Sequence, residues 1–257
     1  SLGLVGPALV LAWWWSGLSP AGLVSARTRE RTGRLLSDLW PPALPDGGLR
    51  ELASAAADTV AMAVLAMALA VLVTLVAGPW AARPRADRRG GPASPGRRAL
   101  WRTARLLLLV LRSVPPTVWA VVALLALFPG ILPGALALGL YTGGILGRLV
   151  AEAWETMDLG PRDALRNAGV PRAAAAAVSL GPPSASHLLT YTLYRFEICV
   201  RDTAVVGVVG AAGLGRLLNE RLAAFDFPVV TSVLLASLAV SLAVELTGRR
   251  VRRLLRD

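Results

Sequence analysis

The chain predicts an all-α, polytopic membrane protein with about six transmembrane helices. Three observations carry that expectation. Over 257 residues the chain is 55% hydrophobic and 17% charged, with a mean hydropathy of +0.58, whereas soluble domains carry about 25% charged residues. Uncharged runs at Ser1 to Ala26, Thr59 to Trp80, Ser113 to Gly147 and Phe227 to Val244 reach the roughly 20 residues that cross a bilayer. The polar residues are gathered between those runs. A soluble helix keeps a polar face toward water, so it is rarely apolar all round for this long.

The elements follow in order. A first span at about 3–20 lacks a basic leading region, and Leu18-Ser19-Pro20-Ala21 makes a poor cleavage site, so it reads as a retained anchor. A short amphipathic helix is expected within 33–54, beside Pro41, Pro42 and Pro45. The second span covers about 55–80. An Arg-, Pro- and Gly-rich loop at 83–98 precedes a third span at about 104–128, which Arg112-Ser113-Val114-Pro115-Pro116 interrupts. Paired prolines remove backbone donors and kink a helix. Pro129-Gly130 and Pro133-Gly134 separate it from a fourth span at about 132–151. Residues 151–183 form a polar helix-turn-helix set between apolar runs. A fifth span at about 184–205 carries Arg195, Glu197, Arg201 and Asp202, and a sixth follows at about 228–247. No short repeat is visible. Residues 1–257 read as one membrane domain: 1–54 an anchor with an external or interfacial segment, and 55–250 a core containing a loop at 152–183.

Arginine sets the orientation, because the chain contains no lysine. The segments 81–105, 151–183 and 245–257 hold sixteen arginines, against seven in 21–54 and 206–227. Positive charge stays inside, so both termini are expected in the cytoplasm. The cluster Arg27, Arg29 and Arg31 falls on the wrong side for this rule. The net charge of +11 follows the membrane topology, and nucleic acid is not an expected partner. A single cysteine, Cys199, and a single histidine, His187, supply neither a disulfide framework nor a metal site. No catalytic constellation appears.

Charge inside a span is costly, about 2.5–3.5 kcal/mol on insertion scales, and marks a pathway or a pair. On a helix, Arg195 and Asp202 are seven apart and share a face. Glu197 and Arg201 are four apart and share the opposite one, either as a self-neutralised pair or as pathway lining. The candidate substrate pathway is therefore Arg112, Tyr191, Tyr194, Arg195, Glu197 and Arg201. The run Gly207-Val208-Val209-Gly210-Ala211-Ala212-Gly213-Leu214-Gly215 lacks the Lys-Ser/Thr ending of a nucleotide loop. It reads as a tight or re-entrant turn, with Gly207, Gly210, Gly213 and Gly215 as an adaptable gate.

Together these pieces resemble the permease subunit of bacterial ATP-binding-cassette importers. That family's coupling motif runs Glu-Ala-Ala, three residues, Gly, nine residues, Ile, one residue, Leu-Pro. Here Asp163-Ala164-Leu165 stands at Glu-Ala-Ala, Gly169 at the Gly and Pro182 at the Pro, while Ser179 and Gly181 replace Ile and Leu. The chain is more closely similar to phosphonate and phosphite permeases. The similarity rests on Arg112-Ser113-Val114-Pro115, on Leu138-Gly139-Leu140-Tyr141-Thr142-Gly143-Gly144-Ile145-Leu146-Gly147, on Thr190-Tyr191-Thr192-Leu193-Tyr194-Arg195-Phe196-Glu197 and on Val209 to Gly215. It covers roughly 105–250.

The resemblance implies a type I importer permease fold with a cytoplasmic coupling helix pair, in which Asp163, Ala164, Gly169 and Pro182 couple to an ATPase. It implies a homodimer in the bacterial inner membrane, two cytoplasmic ATPase subunits that bind ATP and Mg, and an external substrate-binding protein. The chain itself would hold no cofactor and catalyse nothing. The ligand would be a small oxyanion, phosphonate or phosphite. The alternatives are an amino-acid permease, as for methionine, and a membrane enzyme acting on a lipid phosphate.

Overall fold

The computed structural model describes residues 5–17, 25–83, 94–158 and 160–254. Among them every regular element is helical: α1 (Val5–Ser16), α2 (Ala26–Asp38), α3 (Gly48–Ala81), α4 (Pro95–Ser113), α5 (Pro116–Ala126), α6 (Ile131–Thr156), α7 (Gly160–Asn167), α8 (Arg172–Val208), α9 (Gly213–Ala223) and α10 (Phe227–Leu254).

Four stretches are long and apolar enough to cross a bilayer: Gly48–Ala81, Ile131–Thr156, Leu188–Ala223 and Phe227–Arg253. The bent pair α4–α5 makes a fifth if its halves cross together. The expected six is therefore not reached among the described residues. The first expected span is represented by α1, whose 12 residues cover about 18 Å, short of a hydrocarbon core of about 30 Å. Residues 3–4 and 18–20 of that span lie outside the described residues.

The third expected span, 104–128, is not straight. α4 and α5 meet at 90°. Val114 precedes a proline, which disfavours helical backbone there, and it is extended at φ −86°, ψ 123°. Pro116 then opens α5, where its missing N–H costs nothing. Trp119 Nε1 donates to Leu111 O at 3.2 Å, so an indole satisfies a carbonyl freed at the break.

The polar loop and the fifth span also differ from expectation. α8 is one helix of 37 residues, continuous through Pro182 and Pro183. Each proline removes one helical hydrogen bond, and the remaining bonds on both sides carry the helix past the pair.

α6 is the hub, packed against α3, α4, α5 and α8. Two-thirds of its apolar window is buried, against 17% for α10, which lies at the edge. Its broadest contact is with α3, where small residues face each other: buried Ala63, Ala66 and Ala70 on α3, Gly139 and Gly143 on α6. A Cβ at Gly139 would lie 2.8 Å from Leu69 Cδ2 and one at Gly143 2.9 Å from Val73 Cβ. In lipid, where apolar burial drives little, such close backbone approach supplies the packing energy.

Candidate functional site

Arg195 is the one buried charged side chain among the described residues, at 8% exposure. It projects from α8 onto α6. One guanidinium nitrogen donates to Thr142 Oγ1 at 3.4 Å, and the group lies 5.9 Å from the centroid of the Tyr141 ring. Its Nε is buried with no hydrogen-bond partner. Asp202, half-buried one face-repeat along α8, acts on it electrostatically. No carboxylate comes within 4 Å of Arg195 among the described residues.

The other charges of this helix are neutralised across the α8–α10 seam. Glu197 accepts from Arg252 at 2.5 Å, in a pair whose side chains are 11% and 26% exposed. Arg201 pairs with Glu245 at 3.0 Å, and Glu245 also takes Arg249 at 2.8 Å. Of the two alternatives for Glu197 and Arg201, the pair within α8 does not form. Both residues pair across to α10 instead, with Arg252 and Glu245. A Cβ at Gly248 would strike the Glu197 carboxylate, so that glycine opens the route to Arg252.

The remaining pathway candidates divide. Tyr191 packs against the main core. Tyr194 is 57% exposed and faces away from buried Arg195. Arg112 is half-buried in the last turn of α4. Its backbone N lies 2.8 Å from where a Cβ at Gly144 would stand, so the α6 turn 141–144 touches both Arg112 and Arg195.

The coupling candidates sit on an exposed surface. Asp163 lies in the first turn of α7, bonded to Arg162 at 2.6 Å and within 3.8 Å of Arg166. Ala164 is exposed beside it. α7 ends in a Schellman arrangement: Gly169 N–H donates to Arg166 O at 3.1 Å and Val170 N–H to Leu165 O at 3.1 Å, with Gly169 at φ +91°. That is the left-handed C′ position glycine serves. A Cβ there would meet nothing within 4 Å, so the requirement is conformational and not steric. Pro182, placed at the end of the motif by its spacing, falls inside α8.

The glycine run forms a closed turn. Ala211, Ala212, Gly213, Leu214 and Gly215 are all buried. Gly213 adopts φ +79°, and Leu214 N–H donates to Thr59 Oγ1 of α3 at 2.9 Å. A Cβ at Gly207 would lie 2.7 Å from Gly215 Cα. Residues eight apart would be about 12 Å apart along one helix, so α9 folds back on α8 and these two glycines are the crossing point. Gly210 takes φ +106° in the turn itself.

The sequence reading missed Tyr141, Thr142, Arg252, Glu245 and Thr59. Tyr141 and Thr142 stand inside a stretch already singled out, but nothing in their spacing points at Arg195. The others are brought in by helix packing over 44 to 155 residues of chain, for which one sequence holds no signal.

A bundle of long apolar helices with a continuous, charge-bearing α8 and an exposed helical elbow at Gly169 defines a multi-pass membrane transport component. The comparisons agree. Residues 93–257 match the family described as Binding-protein-dependent transport system inner membrane component, and the chain belongs to that family. It is 31% identical over 250 residues to the phosphate-import permease protein PhnE of Mycolicibacterium smegmatis, covering 97% of this chain but 44% of that protein. The chain thus spans less than half the length of that relative. It is 33% identical over 242 residues to the phosphite transport system permease protein PtxC of Stutzerimonas stutzeri, covering 92% of this chain and 82% of the relative. Among solved structures, an inward-facing methionine transporter, MetNI, aligns with a TM-score of 0.68 at 19% identity, covering 82% of this chain and 98% of that one. That likeness establishes the type I importer permease fold.

Proposed function

We propose that the chain is the permease subunit of an ATP-driven importer for a small phosphorus oxyanion, phosphonate or phosphite. The names of its relatives, phosphate import for one and phosphite transport for two, support the class of phosphorus oxyanion. The observation that carries it is Arg195, a buried cation with an unsatisfied Nε and no carboxylate within 4 Å among the described residues. An anion crossing a low-dielectric membrane needs fixed positive charge, and guanidinium offers a fork that fits tetrahedral oxyanions. Glu197 and Arg201 are occupied by Arg252 and Glu245, which leaves Arg195 as the available cation on α8 among the described side chains. Arg112 meets the same α6 turn as Arg195 and joins it on the path; Tyr191, in the core, and Tyr194, exposed on another face, flank it without reaching Arg195, and the Gly207–Gly215 turn is closed in this conformation.

In this reading two copies pair around the path, in the inner membrane, with both termini cytoplasmic. Two ATPase subunits bind ATP and Mg and dock on the elbow of Asp163, Ala164 and Gly169. An external binding protein delivers the ligand. Hydrolysis belongs to the ATPase, and this chain moves no bonds.

The test is uptake into proteoliposomes by the assembled transporter with its cognate binding protein. Labelled phosphite, methylphosphonate, phosphate and methionine are supplied in turn. Saturable uptake of phosphite or phosphonate at the highest kcat/KM is expected. Preferential methionine uptake would replace the reading with an amino-acid permease.

A further inference from the structure

Where α3 ends and α4 begins, Trp80, Ala82, Gly96, Arg97, Leu100 and Trp101 line a cavity of about 370 Å³. We propose that it is a binding site for the headgroup of an anionic phospholipid, of the phosphatidylglycerol type, with acyl chains lying down the adjoining faces of α3 and α4.

Depth is the first argument. On α3 the side chains of Leu72, Leu75 and Val76 are exposed, each by more than half of its surface. On α4 Leu106, Leu107 and Val110 are exposed to a similar degree. Large apolar side chains exposed along a membrane-spanning bundle face hydrocarbon. Both columns end at the cavity. Around it on α4 stand Arg97, which lines it, and Arg98 and Arg102, all exposed. The cavity therefore sits where lipid-facing surface gives way to basic surface, at headgroup level. Tryptophan collects at that level, and Trp80 is 55% exposed there.

Charge is the second argument. Among the described residues the nearby carboxylate, Glu155, is already used: it pairs with Arg105 and accepts from Arg83 N–H at 2.7 Å. Arg105 is further held by Ala81 O at 3.0 Å and by the Trp101 ring at 5.2 Å. Arg97 and Arg102 have no carboxylate within 4 Å among the described residues, and no acidic side chain lines the cavity. Trp101 Nε1 is a buried donor without an acceptor. A phosphodiester supplies the missing anion, its glycerol backbone supplies acceptors, and its chains cover the exposed leucines. A free phosphate would satisfy only the first of these.

The test uses the full chain purified in detergent, with phosphatidylglycerol and phosphatidylcholine titrated and bound lipid read by native mass spectrometry. Phosphatidylglycerol should bind at least tenfold more tightly than phosphatidylcholine. Arg97→Gln, on an exposed side chain whose loss leaves the fold intact, should weaken it on the order of fivefold, the worth of one arginine at a charged membrane surface. Arg50→Gln, an exposed arginine at the opposite end of α3, should change nothing. Equal binding of the two lipids overturns the proposal. So does an Arg50→Gln loss equal to that of Arg97→Gln, which would mean bulk charge attraction. Displacement of phosphatidylglycerol by millimolar inorganic phosphate would make this a free-phosphate site and overturn it too.

Discussion

Replacing Arg195 by methionine separates a structural arginine from a functional one, because the two roles predict opposite signs. The guanidinium is 8% exposed, its Nε is unsatisfied, and its one side-chain hydrogen bond, to Thr142, is long at 3.4 Å. Burying a charge costs several kcal/mol, which good geometry and full hydrogen bonding must return. Here little is returned. Swapping poorly compensated buried charge for a well-packed apolar side chain stabilises proteins by about 1–4 kcal/mol. Arg195→Met should therefore raise the thermal unfolding midpoint of the detergent-solubilised chain. A hydrogen bond to a charged group is worth about 1.5–3 kcal/mol, so loss of one or two to a passing oxyanion should cut ligand uptake on the order of 100-fold. Arg195→Lys, which keeps charge but loses the fork, should fall between. Basal ATPase activity of the assembled complex, read in parallel, should match wild type. An Arg195→Met transporter that is less stable yet transports at the wild-type rate would refute the argument and leave the residue a packing element.

Two further outcomes follow from the geometry. Gly169→Val forces a β-branched residue to φ +91°, at a local cost of about 1–2 kcal/mol or more. Stimulation of ATPase activity by loaded binding protein should drop while membrane insertion is unchanged, and wild-type stimulation would remove the elbow from coupling. A cysteine at exposed Asn219 of α9 should react with a membrane-impermeant thiol reagent from outside, whereas one at buried Ala212 should stay protected; labelling of Asn219→Cys only from the cytoplasmic face would invert the proposed orientation.

What could be read from the sequence depended on the range of the interaction. The elbow was legible because a Schellman turn is local: one glycine at the right offset from Asp163 specifies it, and φ +91° at Gly169 is what that offset requires. The break at Ser113–Pro116 was legible as a kink but not as a right angle, since proline removes a bond without choosing a direction. Pro182 and Pro183 carry the opposite lesson. The same chemistry that breaks α4 is absorbed within α8, where helix continues on both sides. The adaptable gate expected at Gly207–Gly215 is a buried, pinned turn, because two of its glycines serve close approach of α8 to α9, a reason for glycine that looks identical in sequence to flexibility. Spacing left Glu197 and Arg201 either paired with each other or lining a pathway, and packing against α10 gave both to other residues.

The continuity of α8 joins two parts of the site that the sequence held apart. Gly169 turns the chain immediately before this helix, and Arg195 lies 23 residues beyond Arg172, about 35 Å along its axis. No loop intervenes between them. Seen as a permease, an ATPase pushing on the elbow displaces the same rigid body that carries the buried cation. The α8–α10 ion pairs, Glu197–Arg252 and Arg201–Glu245, then have a second consequence. They tie the Arg195 segment of α8 to the C-terminal half of α10, while Thr142 and Tyr141 of α6 hold Arg195 from the other side by weak contacts only. The strong bonds lie on the α10 side and the weak ones on the α6 side. On this geometry the contact expected to yield during transport is the one between Arg195 and the Tyr141–Thr142 turn, the weaker of the two sets of polar contacts at this segment.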